Sequence, residues 1–208
     1  MKVENIHVYN IIPAIQGIRY SYDSLSKSDS SMMLFVGEKD RELAKALAKS
    51  GSSHRKFLRQ ISVSMDITAP LYWWKEMDQY KVATTTNSES TMHTITKRPI
   101  VLDDFEPQDF DNKAIRLSYD LALMNTVKQL NDFVEKFKTT KNKEYWTTII
   151  SLLPESYLQK RLFTCSYETL RSIYEQRRNH KLPEWHMLCH AIEQLPEADI
   201  LLAGLDNY

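Results

Sequence analysis

Two histidines and a glutamate recur on one predicted helix near the end of the chain. His186 and His190 stand four residues apart, and Glu193 follows three residues later. Residues four apart lie on the same face of a helix, so this spacing can hold a metal ion. The same pattern is also typical of an ordinary polar helix face with Trp185 and Leu188 buried opposite. Because no further ligand with distinctive spacing accompanies them, we interpret the pair as a polar face and predict no metal.

A cluster of basic residues precedes that helix: Arg177, Arg178, His180 and Lys181. Cations near the C-terminus of a helix interact favourably with the helix dipole, which is a sufficient structural reason for the cluster. An anion site for a phosphate group is the functional alternative, because guanidinium groups bind phosphate oxygens in pairs. Both interpretations stay open, and the structural one is favoured.

The segment YWWKEMDQYKVATTTNSESTMH, residues 72–93, combines aromatic, hydroxyl and amide side chains. Neighbouring residues on a helix diverge by about 100°, so Trp73 and Trp74 are not expected to share one core. We therefore expect one of them to meet a second surface, either another subunit or a flat ring such as a base or a flavin. The polar residues from Thr84 to Ser90 suit hydrogen bonding to such a ligand, although threonine-rich strands are common.

Composition limits the classes of protein that this chain can be. Lysine plus arginine balances aspartate plus glutamate at 27 each, which disfavours a general attraction to nucleic acid or anionic lipid. Four glycines and the lack of GxGxxG and GxxxxGK[ST] patterns exclude the standard phosphate-binding loops. No apolar run approaches the roughly 20 residues that a membrane helix needs. Two cysteines without framework spacing, and no signal-peptide pattern, predict a cytoplasmic protein.

Periodicity predicts the elements that position these residues. Residues 61–68 alternate apolar and polar, which predicts a strand with one buried face. Residues 116–138 carry apolar residues at helical spacing, and Leu117, Leu121 and Met124 widen the predicted core-facing stripe. Residues 32–36 are predicted to form a short buried strand. Ser166 is predicted to cap a helix to about Arg178, and Pro183 to open the last long helix.

Scattered strands between more numerous helices predict the α+β class, with one mixed or antiparallel sheet flanked by helices. We expect a single domain over residues 1–208 with a central helical segment at about 114–152.

The order of these pieces resembles the flavin-dependent thymidylate synthases. That family carries an Arg-His-Arg triplet followed by a Ser, an Asn-Glu pair, a Ser and an Arg-Tyr pair. In this chain Gln79, Tyr80 and Lys81 occupy the triplet, Thr84 or Thr85 the first Ser, and Asn87, Ser90 and Met92-His93 the later positions. Ser53-His54 upstream, and Leu153-Pro154, Tyr157 and Leu170-Arg171 downstream, fall in the family's order.

The resemblance implies a homo-oligomer, a tetramer in the family, that binds FAD and a dUMP-type nucleotide for methyl transfer. The residues that it implies for the flavin are Gln79, Tyr80, Lys81, Asn87 and His54. Those that it implies for the nucleotide are Ser88, Ser90, His93, Arg178 and His190. No catalytic residue is assigned, because the flavin carries the reactive chemistry.

The departures from the family pattern concern charge. Lys81 is the one cation left of the triplet's two, Ser88 replaces the family's Glu, and the terminal helix has no Arg, with His190 or His186 nearest. Each lost charged hydrogen bond costs about 1.5–3 kcal/mol. Stacking on Trp73, Trp74 and Tyr80 is the compensation that we predict. The alternative is a non-catalytic or re-purposed relative that binds nucleotide or acts as an oligomeric scaffold without flavin. Nucleic-acid binding is the least favoured interpretation.

Overall fold

The computed structural model describes residues 1–31 and 34–205. The strands are β1 (Lys2–Tyr9), β2 (Ser62–Pro70), β3 (Thr84–Ser88) and β4 (Leu158–Ser166). The helices are α1 (Ile11–Gly17), α2 (Glu38–Lys49), α3 (Leu71–Met77), α4 (Thr91–Thr94), α5 (Lys113–Thr140), α6 (Lys143–Leu152), α7 (Tyr167–Arg177), α8 (Pro183–Glu193) and α9 (Ala198–Leu201). The strands form one antiparallel sheet in the order β1-β2-β4-β3, so the predicted α+β class is confirmed.

The chain divides into two compact units. Unit 1 comprises Met1, Thr68–Gln79 and Ser88–Arg161; unit 2 comprises Lys2–Ile67, Tyr80–Asn87 and Leu162–Tyr208. The single domain over residues 1–208 stays a prediction.

The core of unit 1 lies where α5 packs on α6. Val127, Leu130 and Val134 of α5 and Ile149 of α6 belong to one buried cluster. Asn112 caps α5 through its side-chain oxygen, which accepts from the backbone N–H of Ala114 at 2.9 Å. The periodic residues at 127, 130 and 134 therefore point inward as predicted.

One part of the predicted stripe on α5 is wrong. Leu117, Leu121 and Met124 are 61%, 52% and 53% exposed, and Ile115 beside them is 53% exposed. The helix is longer than the core that covers it, so its first half presents an apolar face that no described residue of unit 1 buries. Single apolar residues on a surface are ordinary, whereas three on one helix face, Leu117, Leu121 and Met124, are informative.

In unit 2 the alternation of β2 is confirmed. Ile61, Val63, Met65 and Ile67 are buried, and the residues between them are half-buried. Of the predicted strand at 32–36, Met32 and Met33 lie outside the described residues. The remaining residues, 34–36, form a turn and an isolated bridge between Phe35 and Ser31, so they are not a strand.

The helices that border the candidate site follow from local sequence. The hydroxyl oxygen of Ser166 accepts from the backbone N–H of Thr169 at 3.3 Å, which confirms the predicted cap of α7. Pro183 stands in the first turn of α8, where its missing N–H costs nothing. Trp185 and Leu188 are buried, as the sequence predicts.

Among the described residues, no helix combines the length and the apolar character that crossing a bilayer requires.

Candidate functional site

A polar cavity lies between α7 and α8 in unit 2 and has a volume of about 270 Å³. We call it the α7–α8 cavity. It brings together Arg178 and His190, two residues that the family resemblance implies for the nucleotide. The other lining residues are Tyr174, Asn179, His186, Cys189 and Glu193.

A hydrogen-bonded pair forms one wall of this cavity. The buried Tyr174 donates its hydroxyl proton to Glu193 Oε1 at 2.7 Å. The other carboxylate oxygen of Glu193 lies 3.5 Å from Nδ1 of His190. Burial, and then Glu193, raise the pKa of Tyr174 to about 12, so this phenol stays protonated near neutral pH. The pair therefore presents a fixed carboxylate beside the imidazole.

The cysteine in the same wall is not a nucleophile. Burial, and then the nearby Glu193, raise the pKa of Cys189 to about 12. Because the thiolate is the reactive form of cysteine, the Cys189 thiol is inert near neutral pH.

His186 faces the cavity from the first half of α8. Its Nε2 lies 2.7 Å from the backbone carbonyl oxygen of His180. A carbonyl only accepts, so Nε2 carries the proton and Nδ1 is left to accept or, when protonated, to donate. Within residues 1–31 and 34–205, no group of three or more His, Cys, Asp or Glu side chains is arranged to hold a metal ion.

Two arginines of the basic cluster have different surroundings: Arg177 packs on aromatic rings, and Arg178 lines the α7–α8 cavity. The guanidinium of Arg177 lies over the rings of Trp185 and Tyr80, 4.7 Å and 5.6 Å from their centroids. Its Nε donates to the Tyr80 hydroxyl at 2.8 Å, and that hydroxyl donates to Gln176 at 3.0 Å. Arg177 thus holds the predicted flavin residue Tyr80 in place, whereas Arg178 lines the cavity.

The other predicted flavin residues of unit 2 are exposed. Lys81 follows Tyr80, Asn87 lies on β3, and His54 lies in the turn after α2. No hydrogen bond or ion pair joins these three side chains to one another in the described part of unit 2. Lys81 and Asn87 nevertheless stand on one short segment with their polar groups in solvent.

Unit 1 carries the remaining predicted residues on its surface. Gln79 donates from its side-chain amide to the backbone carbonyl of Lys75 at 3.3 Å. Ser88 ends β3 and Ser90 precedes α4, where its carbonyl accepts from the Thr94 hydroxyl at 2.9 Å. His93 lies exposed on α4.

The aromatic wall predicted from Trp73 and Trp74 is wrong. Both indoles are buried, 0% and 1% exposed, and they contact each other edge to face at 4.9 Å. The guanidinium of Arg161 lies 4.1 Å from the Trp74 ring, and the Trp74 N–H donates to the carbonyl of Gln159 at 3.0 Å. A short helix that is covered on more than one side buries neighbouring residues together, so neither indole is exposed to stack on a ligand.

Sequence reasoning did not assign Tyr174 and Glu193 to a site. Tyr174 stands four residues before Arg178, so both share one face of α7, and Glu193 stands seven residues after His186 on α8. The spacing of these residues along their helices was the signal in the sequence that could have assigned Tyr174 and Glu193 to the site. Sequence alone does not show that the two faces lie opposite each other.

Comparisons with known proteins support the fold. No protein-family model matches the chain, and no curated protein matches it either. Thymidylate synthase X from Helicobacter pylori, in a crystal structure with FAD and dUMP, is 19% identical with a TM-score of 0.74, over 98% of this chain and 97% of that one. A second crystal structure of the flavin-dependent thymidylate synthase from that organism, complexed with FAD and dUMP, is 19% identical with a TM-score of 0.72, over 98% of both chains. The chain therefore has the thymidylate synthase X fold at low sequence identity, as expected for a divergent chain.

Proposed function

We propose that this chain is a cytoplasmic protein, similar to flavin-dependent thymidylate synthases, that binds FAD and a dUMP-type deoxynucleotide for methyl transfer. The fold shared with two structures that contain FAD and dUMP carries this proposal. The meeting of Arg178 and His190 in one cavity supports the nucleotide half of it.

On the nucleotide side, the guanidinium of Arg178 provides two parallel hydrogen bonds to a phosphate group, and His190 adds a second donor. Ser88, Ser90 and His93 are the further nucleotide residues of the proposal. Their side chains are exposed hydroxyl and imidazole groups, which suit sugar, base or phosphate oxygens.

On the flavin side, the surface of this chain fits the phosphates better than the ring. Lys81 offers an exposed ammonium group with no ion pair in the described structure, and Asn87 offers an exposed amide. Gln79, Tyr80 and His54 complete the proposed set, with Tyr80 already bound to Arg177. A bound flavin would supply the redox and carbon-transfer chemistry, and these residues would bind and orient it.

The burial of the two tryptophans favours a second candidate function. Without an exposed indole wall, Lys81 alone replaces the two cations of the family triplet. A relative that binds nucleotide, or assembles as a scaffold without flavin, needs only the α7–α8 cavity and the fold. The two candidates differ in one measurable property, which is the affinity for FAD.

Thermal unfolding with added ligands separates them. A ligand at one hundred times its Kd stabilises the folded state by about 2.7 kcal/mol. For a chain of this length that raises Tm by roughly 5–11 °C. We expect dUMP to raise Tm in the native protein and Arg178→Gln to abolish the shift. FAD is expected to raise Tm, and Lys81→Gln to reduce that shift.

Lys97→Gln is the matched control for Lys81→Gln, because Lys97 is also exposed and its substitution removes the same charge. A native protein whose Tm does not respond to FAD, FMN, dUMP or dTMP contradicts both nucleotide proposals. A response to dUMP without one to either flavin selects the second candidate.

Self-association into a homotetramer is part of the proposal, and the apolar face of α5 supports it. A face formed by Leu117, Leu121 and Met124 is suited to burial against another copy of the chain. We expect light scattering to give a native mass of four times 24.4 kDa. Replacing Leu117, Leu121 and Met124 together with glutamine is expected to yield smaller species. The control Leu34→Gln, at an exposed leucine elsewhere, is expected to keep the native mass. A monomeric native protein contradicts this part of the proposal.

A further inference from the structure

A second cavity adjoins the α7–α8 cavity along the exposed face of α8. Its volume is about 470 Å³, and its lining residues are Val3 of β1 and His186, Met187, His190 and Ala191 of α8. We call it the β1–α8 cavity. The two cavities share His186 and His190, so one ligand can occupy both.

The two cavities differ in chemistry. The α7–α8 cavity carries the guanidinium of Arg178 and the carboxylate of Glu193. The β1–α8 cavity carries no residue of fixed charge, and apart from the shared imidazoles its lining is the apolar Val3, Met187 and Ala191. Met187 is 46% exposed, so its side chain is available to the apolar part of a ligand. Small-molecule sites of roughly 300–1,000 Å³ typically combine an apolar body with a few polar groups, as this pair does.

We propose that the paired cavities bind a small anionic amphiphile, with a phosphate or carboxylate head beside Arg178 and an apolar body against Val3 and Met187. The proposal deepens the proposed function and rests on it only for the roles of Arg178 and His190 as anion-binding groups. It adds that the ligand has an apolar body as well as a negative charge.

The head of the ligand is held by polar groups that line the α7–α8 cavity. The guanidinium of Arg178 carries five N–H donors in a fixed fork, a geometry that matches the oxygens of a phosphate or carboxylate. His190 is exposed, and its Nε2 has no hydrogen-bond partner in the described structure. His186 uses its Nε2 proton on the His180 carbonyl, so Nδ1 of the neutral ring is an acceptor and does not hold the anionic head.

Isothermal titration of the whole protein tests the inference with octyl phosphate, octanoate, inorganic phosphate and octanol. We expect octyl phosphate to bind at least tenfold more tightly than inorganic phosphate, and octanol to give no binding. The stronger of octyl phosphate and octanoate identifies the head group. Equal affinity for octyl phosphate and inorganic phosphate overturns the inference.

Single substitutions test the α7–α8 cavity and the β1–α8 cavity separately. Met187→Gln is expected to reduce octyl phosphate affinity to that of inorganic phosphate while leaving the latter unchanged. Arg178→Gln is expected to weaken both at least tenfold, because it removes the guanidinium that binds the head group. Lys181→Gln is the matched control, because Lys181 is an exposed cation close in sequence that lines neither cavity. An equal loss in Lys181→Gln and Arg178→Gln overturns the inference.

A parallel titration with dUMP distinguishes this inference from the proposed function. Octyl phosphate binding without dUMP binding supports the inference and contradicts the nucleotide proposal. Binding of dUMP without binding of octyl phosphate supports the nucleotide proposal and contradicts the inference. Displacement of octyl phosphate by dUMP supports both at one site.

Discussion

Replacing Asp40 with alanine is expected to lower the free energy of unfolding by about 3–5 kcal/mol, because it leaves a buried arginine unpaired. Asp40 is fully buried on α2, and its carboxylate forms an ion pair with the buried Arg19. Ser28 and Ser30 donate their hydroxyl protons to the same carboxylate at 2.5 Å and 2.6 Å. These contacts fasten the serine-rich segment that precedes α2.

The pH dependence of this loss has a definite sign. Burial alone would raise the pKa of Asp40, but the hydrogen bonds from Ser28, Ser30 and Arg19 outweigh it and hold the pKa below its ordinary value. A carboxyl with a lowered folded-state pKa stabilises the fold fully above its unfolded pKa, about 3.9. That stabilisation is lost as the pH falls through the folded value.

Urea unfolding at pH 7, pH 4 and pH 3 measures this effect. We expect the difference between the native protein and Asp40→Asn to be largest at pH 7 and to shrink towards pH 3. Asp111→Ala is the control, since Asp111 is exposed and its loss should change stability by less than about 0.5 kcal/mol. A deficit in Asp40→Asn that is the same at all three values would contradict the ion-pair explanation.

Replacing Arg171 with methionine is expected to lower the free energy of unfolding by about 2–6 kcal/mol, a fall in Tm of roughly 4–24 °C. Arg171 is 3% exposed on α7, and its guanidinium donates to the carbonyls of Leu201 and Ala203 at 2.5 Å and 2.9 Å. Methionine fills similar space but leaves two buried carbonyls without donors. Each such group costs about 1–3 kcal/mol.

Thermal unfolding of matched variants checks this prediction. Arg171→Lys keeps the charge but has a single ammonium group for two carbonyls, so its Tm is expected between those of the native protein and Arg171→Met. Arg116→Met is the control, because Arg116 is exposed on α5. Equal effects of the Arg171 and Arg116 substitutions to methionine would show that the two carbonyl contacts do not stabilise the fold.

Arg171 also shows that a match in the order of residues does not give the role of a side chain. Leu170-Arg171 falls at the family's Leu-Arg pair in order, yet the Arg171 side chain binds the backbone carbonyls of α9 and the residues after it. Its neighbour six residues on, Arg177, lies over Trp185 and Tyr80. Of the three arginines, Arg178 is the one that lines the α7–α8 cavity, and sequence alone does not separate their roles.

Local patterns predicted the elements well where one face of an element meets one core. The alternation of residues 61–68, the periodicity at 127, 130 and 134, and the Ser166 cap are of this kind. Where several neighbours cover an element, the pattern misleads. Trp73 and Trp74 are both buried because Arg161 and the backbone at Gln159 cover α3 on further sides, and those contacts join residues more than 80 positions apart.

The candidate site was harder to predict from the sequence than the fold. Arg178 and His190 were predicted from a resemblance, and their shared cavity depends on how α7 and α8 pack. The β1–α8 cavity needs Val3 beside Met187, a pairing between residues at opposite ends of the sequence. No periodicity in either segment predicts that pairing.

Flavin binding can be read from the visible absorbance of freshly purified protein, before any ligand is added. The proposed function predicts the yellow band of an oxidised flavin, released as FAD on denaturation and weakened in Lys81→Gln but not in Lys97→Gln. A colourless native protein that also takes up no flavin when FAD is added in excess would contradict flavin-dependent methyl transfer by this chain.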